Sequence, residues 1–347
     1  MKSAKKTEWQ DVLNVEASVA RECSKVFPVR WPAYYLDLVQ KDAVHDPIAR
    51  MGRPTRDELQ PSTDDIADPV GDHMMRDSPF IVRKHADRVI LLVTKQCHFY
   101  CRFCFRRDEG VHNKPGPSPE DWKKILDYLR AEKDLREVIL SGGDPLTLSN
   151  DRLGMIVEAL SSVAHLKRLR VHTRAPVHAP ERVDQGLVEA FQGRFNPVFV
   201  THFNHPSEFT EQSRIAIEML QNGSFQVKNQ SVLLAGVNDC PMVLQQLVGK
   251  LLHWSIEPYY LHHPDRVAGN GLFRLSIARG LALVRPFLNR DPRFPPYVLD
   301  LPDGCGKVPV SALKQVSDRQ FRFEHWPGKD SLYEDLNERI PPQAWSV

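Results

Sequence analysis

Three cysteines fall within eight residues, in the run Thr94-Lys-Gln-Cys97-His-Phe-Tyr-Cys101-Arg-Phe-Cys104-Phe-Arg106-Arg107. Three thiolates on one tight loop can hold three corners of a 4Fe–4S cube and leave the fourth iron open to another ligand. The competing reading is a zinc ion on the three cysteines and His98. Zinc sites usually come as two separated cysteine pairs, and the six cysteines of this chain supply no second pair. A position directly after an apolar strand also favours the cluster. Ser141-Gly142-Gly143-Asp144-Pro145 follows the next apolar run. Alone it reads as a turn, although glycines there let backbone approach a ligand closely.

The elements that position these residues show as a rhythm. Short apolar runs at Val89–Thr94, Glu137–Leu140, Leu169–His172, Pro197–Thr201, Gln226–Leu234 and Glu257–Leu261 read as buried strands. Helical stretches alternate with them: Pro119–Glu132, Asp151–Val163, Glu181–Phe191, Glu208–Leu220 and Pro241–Leu252. Ser118 is placed as the N-cap of the first, with Glu120 and Asp121 in its first turn. Six strand–helix units predict an α/β chain, a partial (β/α)6 TIM-like barrel whose chemistry lies at the C-terminal strand ends. Residues 1–80, with Pro54, Pro61 and Pro69 in a long connection, read as an N-terminal helical extension, and 81–265 as the barrel. Residues 266–347 form a short C-terminal segment: one helix within Gly269–Asn289, a short run Tyr297–Leu301, then an edge strand and a polar tail.

Composition narrows the class. The chain has 347 residues, 41% hydrophobic, which fits one large domain with extra segments. Lys and Arg number 46 against 44 Asp and Glu, so the basic footprint of a nucleic-acid binder is missing. No apolar stretch follows the basic N-terminal residues, and the longest pure apolar run, Val89–Val93, is too short to span a membrane. A soluble, cytoplasmic protein is expected, without nucleic-acid or membrane partners. Clustered cysteines in a reducing compartment then point to metal or catalysis.

The spacing Cys97-x3-Cys101-x2-Cys104 resembles the signature of the radical S-adenosylmethionine superfamily. Within it the chain resembles the lysine 2,3-aminomutase family over roughly residues 80 to 310. The resemblance rests on Asp87-Arg88-Val89, the cysteine loop ending in Arg106-Arg107 and the Ser141–Asp144 turn. It rests also on Thr201-His-Phe-Asn-His205-Pro, Asn229-Gln230, Gly236-Val-Asn-Asp239-Cys240, Pro258-Tyr-Tyr260 followed by Asp265, and Asp300-x6-Lys307. It implies three cofactors: the 4Fe–4S cluster on Cys97, Cys101 and Cys104, S-adenosylmethionine, and pyridoxal phosphate on Lys307. Ser141, Gly142, Gly143, Asp144, His202 and Gln230 match positions beside S-adenosylmethionine. Arg106 matches the arginine that pairs with the substrate carboxylate, whereas Arg107 reads as a surface arginine. Asp265 and Asp300 match two aspartates that hold the side-chain ammonium of lysine. Arg88 matches a phosphate arginine, and Lys84 stands where a second is usual.

The chain departs from the family pattern at several points. Lys84 and His85 replace an arginine and a tyrosine, Phe103 replaces a histidine, and Cys305 interrupts what is often an all-glycine run. Some members hold a structural zinc on tail cysteines and a cysteine at the Cys240 position. With no tail cysteines, Cys240 is expected to be an orphan thiol and no structural zinc is expected. The activity implied is the shift of the α-amino group of L-lysine from C2 to C3, giving β-lysine. Arginine is an alternative cationic substrate, and supply of β-lysine for elongation factor P modification is an alternative purpose. The rival from another class is an inactive iron–sulfur protein, but Lys307, Arg106, Asp265 and Asp300 all remain. An electron donor such as flavodoxin or ferredoxin is implied, and a homo-oligomer is compatible with the sequence.

Overall fold

The computed structural model describes residues 9–40, 42–107, 116–288, 290–325 and 328–336. The tail from 337 onward, including its polar end, lies outside them. One ten-stranded sheet dominates, and its strands follow in chain order from edge to edge. They are β1 (Arg76–Ser78), β2 (Ile81–Val82), β3 (Arg88–Thr94), β4 (Glu137–Gly142), β5 (Arg168–His172), β6 (Val198–Thr201), β7 (Gln226–Val232), β8 (Glu257–His262), β9 (Tyr297–Leu301) and β10 (Gly306–Pro309). β3 through β9 are parallel; β1, β2 and β10 are antiparallel to their neighbours. Among the described residues no pairing joins β1 to β10, so the curl is an open half-barrel.

All six expected strands are present. The short run Tyr297–Leu301 adds a seventh parallel one, reached through the helix Ile277–Val284, so the barrel sheet continues past residue 265. β3 is a run of apolar and β-branched residues buried almost throughout, as a strand covered on both faces requires. Crossover helices cover its outer face and close a core through Leu91, Leu140, Val171 and Phe199. The helix Pro119–Ala131 starts at Ser118, whose Oγ accepts the Asp121 amide at 3.1 Å while Asp121 accepts the Ser118 amide in return. Such a reciprocal cap is worth about 1 kcal/mol.

The stretch expected as one helix from Glu181 is broken. A helical turn at Ala175–His178 and a 3-10 turn at Pro180–Arg182 precede the helix Gln185–Phe191. Asp184 caps that helix through the Leu187 amide at 2.6 Å, which ends any continuation from upstream. The C-terminal segment also differs from an edge strand and tail. β11 (Lys314–Gln315), β12 (Gln320–His325) and β13 (Lys329–Glu334) form a separate antiparallel sheet. Phe321 and Tyr333 dock it onto Leu299 and Val308 of β9 and β10. Among the described residues no helix is long and apolar enough to cross a membrane.

Candidate active site

The cysteine loop leaves the end of β3 and is locked from below. Arg102 is buried to 2% exposure, donates to Glu58 and Pro28 O, and its backbone amide binds Met51 O at 2.8 Å. Arg107 is not a surface residue. It is 3% exposed, pairs with Glu58 at 2.7 Å and donates to Arg102 O and Gly269 O. Phe27 lies 4.8 and 5.0 Å from the two guanidinium carbons, so the N-terminal extension covers both cations. Trp31 and Tyr35 pack edge-on against Phe99 inside the loop, between Cys97 and Cys101.

The three thiols share one desolvated place. Burial pushes the Cys97 thiol well up, with Asp144, Cys104 and Cys101 adding to it. Burial and Cys101 push Cys104 up to about 11. Cys101 is raised by burial too, although Arg174 opposes this by donating to its Sγ at 2.8 Å. Thiols that hinder one another's ionisation form a site that a cationic iron centre relieves at once. His98 Nε2 faces Leu146 O at 3.2 Å. Three thiols on one loop, with the His98 ring turned to Leu146 O, fit three corners of a cluster.

Gly142 and Gly143 close the loop from the β4 side. A Cβ on Gly142, whose φ is +114°, would stand 2.3 Å from Thr94 O, and one on Gly143 2.2 Å from Gln96 O. The close approach these glycines permit is therefore between two protein loops. Asp144 accepts from Leu146 N, Thr173 Oγ1 and Arg174 N, which ties the β4 end to the β5 end. Ser141 Oγ takes an N–H from Arg106 at 3.2 Å.

Sequence reasoning missed what holds this end together. Arg174 reaches Cys101, His202 O at 3.0 Å and Glu208 at 2.8 Å, and Tyr35 donates to the same Glu208 at 2.7 Å. Glu208 is 0% exposed, so the network is sealed. Farther round, His202 Nε2 lies 3.0 Å from Gln230 Nε2, and His172 Nδ1 is 3.5 Å from the same amide. Burial pushes both rings well down, aided at His202 by Arg174 and at His172 by His202, so both are neutral.

The second half of the site lies on β8 to β10. Antiparallel pairing sets Lys307 opposite Asp300, and Lys307 Nζ stands 3.2 Å from Asp300 Oδ1. His262 Nδ1 lies 3.6 Å from Asp300 Oδ2. Burial alone would raise Asp300, but Lys307 and His262 hold it well below the usual carboxylate range. Asp265 does the reverse: burial and then the charge of Asp300 push it up to about 8 against the pull of Lys307 and Lys84. These mutual effects place the four groups in one field.

Asp72, at 3% exposure, is the residue that collects the remaining cations. It pairs with Arg106 at 2.7 Å and with Lys84 at 2.6 Å. Burial opposes its ionisation, but Arg106 and Lys84 hold it at about 2. Lys84 also donates to Val70 O at 2.6 Å. Arg88 stands apart at the start of β3, paired with Asp87 at 3.0 Å and Glu137 at 3.8 Å. Burial, Arg88 and Lys307 lower His85. Arg88, Lys307 and Lys84 all act on His85, a set of cations that suits a phosphate group, and Asp72 had no sequence signal beyond its type.

A parallel half-barrel with a three-thiol loop at the end of its first parallel strand defines a radical S-adenosylmethionine enzyme. The Radical SAM superfamily model matches residues 91–243. L-lysine 2,3-aminomutase of Methanococcus maripaludis is 36% identical, covering 87% of this chain and 70% of that protein. The L-lysine 2,3-aminomutase of Clostridium subterminale is 35% identical, covering 83% and 70%. Glutamate 2,3-aminomutase of Clostridioides difficile is 33% identical, covering 88% and 74%. The chain belongs to the lysine 2,3-aminomutase family and is an isomerase whose cofactors include a 4Fe–4S cluster and S-adenosylmethionine.

Proposed function

We propose that the enzyme moves the α-amino group of L-lysine from C2 to C3, giving β-lysine, with pyridoxal phosphate carried on Lys307. Relatives with lysine and glutamate in their names are about equally similar, so the substrate reading rests on the site. The observation that carries it is the contact between Asp300 and the Nζ of Lys307. Here a lysine ammonium already sits on Asp300, a stand-in for the side chain of a lysine substrate. Asp265 beside it keeps a proton because a second buried negative charge is unfavourable there. An incoming alkylammonium supplies the missing positive charge and lets Asp265 ionise. A glutamate side chain would add a third carboxylate to the pair.

When bound, the cluster with S-adenosylmethionine supplies the hydrogen-abstracting radical, and pyridoxal phosphate carries the migrating nitrogen. The chain's own residues bind and orient. Arg106 turns its fork to the α-carboxylate, which competes with Asp72 for that guanidinium. Lys84 and Arg88 offer charge to a phosphate. Cys97, Cys101 and Cys104 hold the cluster, with Arg174 donating to Cys101. Gln230, His202 and His172 line the wall between the two halves as neutral polar groups, and the N-terminal extension excludes water and oxygen behind the loop. A one-electron donor of the flavodoxin or ferredoxin type and a cytoplasmic setting complete this reading.

The test uses enzyme purified without oxygen, loaded with cluster and pyridoxal phosphate, and given dithionite, S-adenosylmethionine and L-lysine, L-arginine or L-glutamate. β-Lysine, measured by mass spectrometry after derivatisation, is expected from lysine and absent with Lys307→Ala. A β-amino product from arginine or glutamate but not lysine would overturn the substrate reading.

A further inference from the structure

The hairpin that carries Lys307 meets the C-terminal sheet through side chains with chemistry of their own. Asp303 and Cys305 occupy the turn between β9 and β10, and His325 ends β12. A carboxylate oxygen, the thiol sulfur and an imidazole nitrogen from these three all lie within 4.8 Å of one another, each residue half-buried. Among the described residues, no other three His, Cys, Asp or Glu side chains converge so tightly, the cluster cysteines included. We propose that Asp303, Cys305 and His325 form a zinc-class metal site that ties the Lys307 hairpin to the C-terminal sheet.

The donor set is the first support. One thiolate, one imidazole and one carboxylate suit a borderline divalent ion, with water in the fourth position. Zinc bonds of about 2.0 to 2.3 Å put ligand atoms roughly 3.3 to 3.8 Å apart. The three side chains, within 4.8 Å of one another, therefore need to close by no more than about 1.5 Å.

Orientation is the second support. Ser331, at 2% exposure, donates to Asp303 Oδ2, and its Oγ lies 2.7 Å from His325 Nε2. One buried hydroxyl thus fixes both the carboxylate and the ring, as outer partners of metal ligands do. The Cys305 amide donates to Asp303 Oδ1 at 3.0 Å, which brings the thiol to the same side of the turn. Gly304 and Gly306, at φ +76° and +90°, permit that tight course.

The third support is position. His325 belongs to a sheet that meets the barrel through Phe321 and Tyr333 and, at its far end, through Arg266 on Glu334 O and Asp335 on the Ile277 amide. A metal bridging Cys305 and His325 closes the intervening loop and holds in place the turn from which Lys307 projects. This site is separate from the tail-cysteine zinc considered for Cys240, and it does not depend on the aminomutase reading.

The experiment uses the full chain with its cluster loaded, equilibrated with zinc chloride without oxygen and then desalted. Zinc and iron are counted by mass spectrometry, and zinc K-edge absorption reads the ligands, which iron does not disturb. About one zinc per chain is expected beyond the iron, with one sulfur near 2.3 Å and the rest nitrogen or oxygen near 2.0 to 2.1 Å. Cys305→Ser and His325→Ala should each weaken zinc at least tenfold, with iron content unchanged as the check on folding. Cys240→Ser should bind zinc as the wild type does. Zinc should raise the melting midpoint of the wild type and not of the two site variants. The proposal is overturned if the wild type retains no zinc. It is overturned equally if the variants bind as tightly, or if the spectrum shows two or more sulfurs, which would put zinc on the cluster cysteines.

Discussion

The two ends of this half-barrel solve opposite problems. At the β3–β6 end the charges are settled. Arg102 and Arg107 share Glu58, Arg174 sits on Glu208, and Asp144 is taken by three donors. At the β8–β10 end they are not. Asp265 is pushed up to about 8 beside an ionised Asp300, and Asp72, whose charge also acts on it, carries Arg106 from the β3 loop and Lys84 together. A cluster stays bound through every turnover, so its seat can be rigid. On the proposed reading a substrate comes and goes at the other end, so its seat would hold partners that must be exchanged. The rigid end is a scaffold and the other a set of provisional ion pairs.

The largest effects should separate the two ends. Cys101→Ser is expected to abolish both S-adenosylmethionine cleavage and product, with iron content and the spin-resonance signal of the reduced cluster lost. Lys307→Ala should abolish product while leaving iron and cleavage in place. If Lys307→Ala also emptied the cluster site, the ends would not be independent. Next comes Glu208→Gln, which strands Arg174 in a sealed place. Removing one partner of a buried pair costs about 3 to 5 kcal/mol. A melting midpoint lower by several degrees in calorimetry is expected, and a loss below about 1 kcal/mol would show that water enters the network.

The contrast also explains what could be read in the sequence. The cysteine loop is contiguous, so its chemistry is visible as spacing, and β3 to β8 show as apolar runs. Lys307 and Asp300 are seven residues apart, and only the antiparallel register of β9 and β10 sets them face to face. Family resemblance pointed to the pair; periodicity could not. The seventh parallel strand hid because Tyr297–Leu301 is short and follows a proline-rich stretch. The second sheet hid because β13, Lys-Asp-Ser-Leu-Tyr-Glu, has no polar–apolar alternation, and β12, which alternates, buries little of its apolar face. Arg107 passed for a surface residue because its partner, Glu58, is 49 positions away. Asp184 could have been recognised as a cap, since Asp before a helical pattern is a start signal.

Asp265 gives a pH test of the unsettled end. Its carboxyl is raised to about 8, so below that pH it is mostly neutral and has no charge to give a substrate ammonium. The kcat/KM for lysine should therefore rise through pH 7 and level off above about 8. Asp265→Asn should flatten this limb and lower kcat/KM about tenfold at pH 8, the size of one charge-assisted hydrogen bond. Stability should move the other way. A carboxyl whose folded pKa lies above its unfolded value favours folding least at high pH. As pH rises from the ordinary carboxylate range through 8, this group's contribution turns against the fold. The cofactor-free Asn variant should thus melt higher than wild type at pH 8 and no differently near pH 4. An unchanged pH limb in the variant would remove Asp265 from substrate binding.

The smallest effect is expected at Lys84, and it asks how provisional the Asp72 pairs are. Lys84 spends one N–H on Asp72 and one on Val70 O, both at 2.6 Å, leaving one donor for a phosphate. A guanidinium carries five N–H groups in a planar fork, so an arginine can keep both contacts and still present an edge to a phosphate. Lys84→Arg should tighten pyridoxal phosphate binding about threefold to tenfold, measured by equilibrium dialysis of the cluster-loaded enzyme. That range is roughly 0.7 to 1.4 kcal/mol, a little less than one full charge-assisted hydrogen bond supplies. Unchanged or weaker binding would mean that Lys84 serves Asp72 alone. The phosphate would then fall to Arg88 and its neighbours, and Asp72 would join Glu58 and Glu208 among the fixed counter-charges of the scaffold.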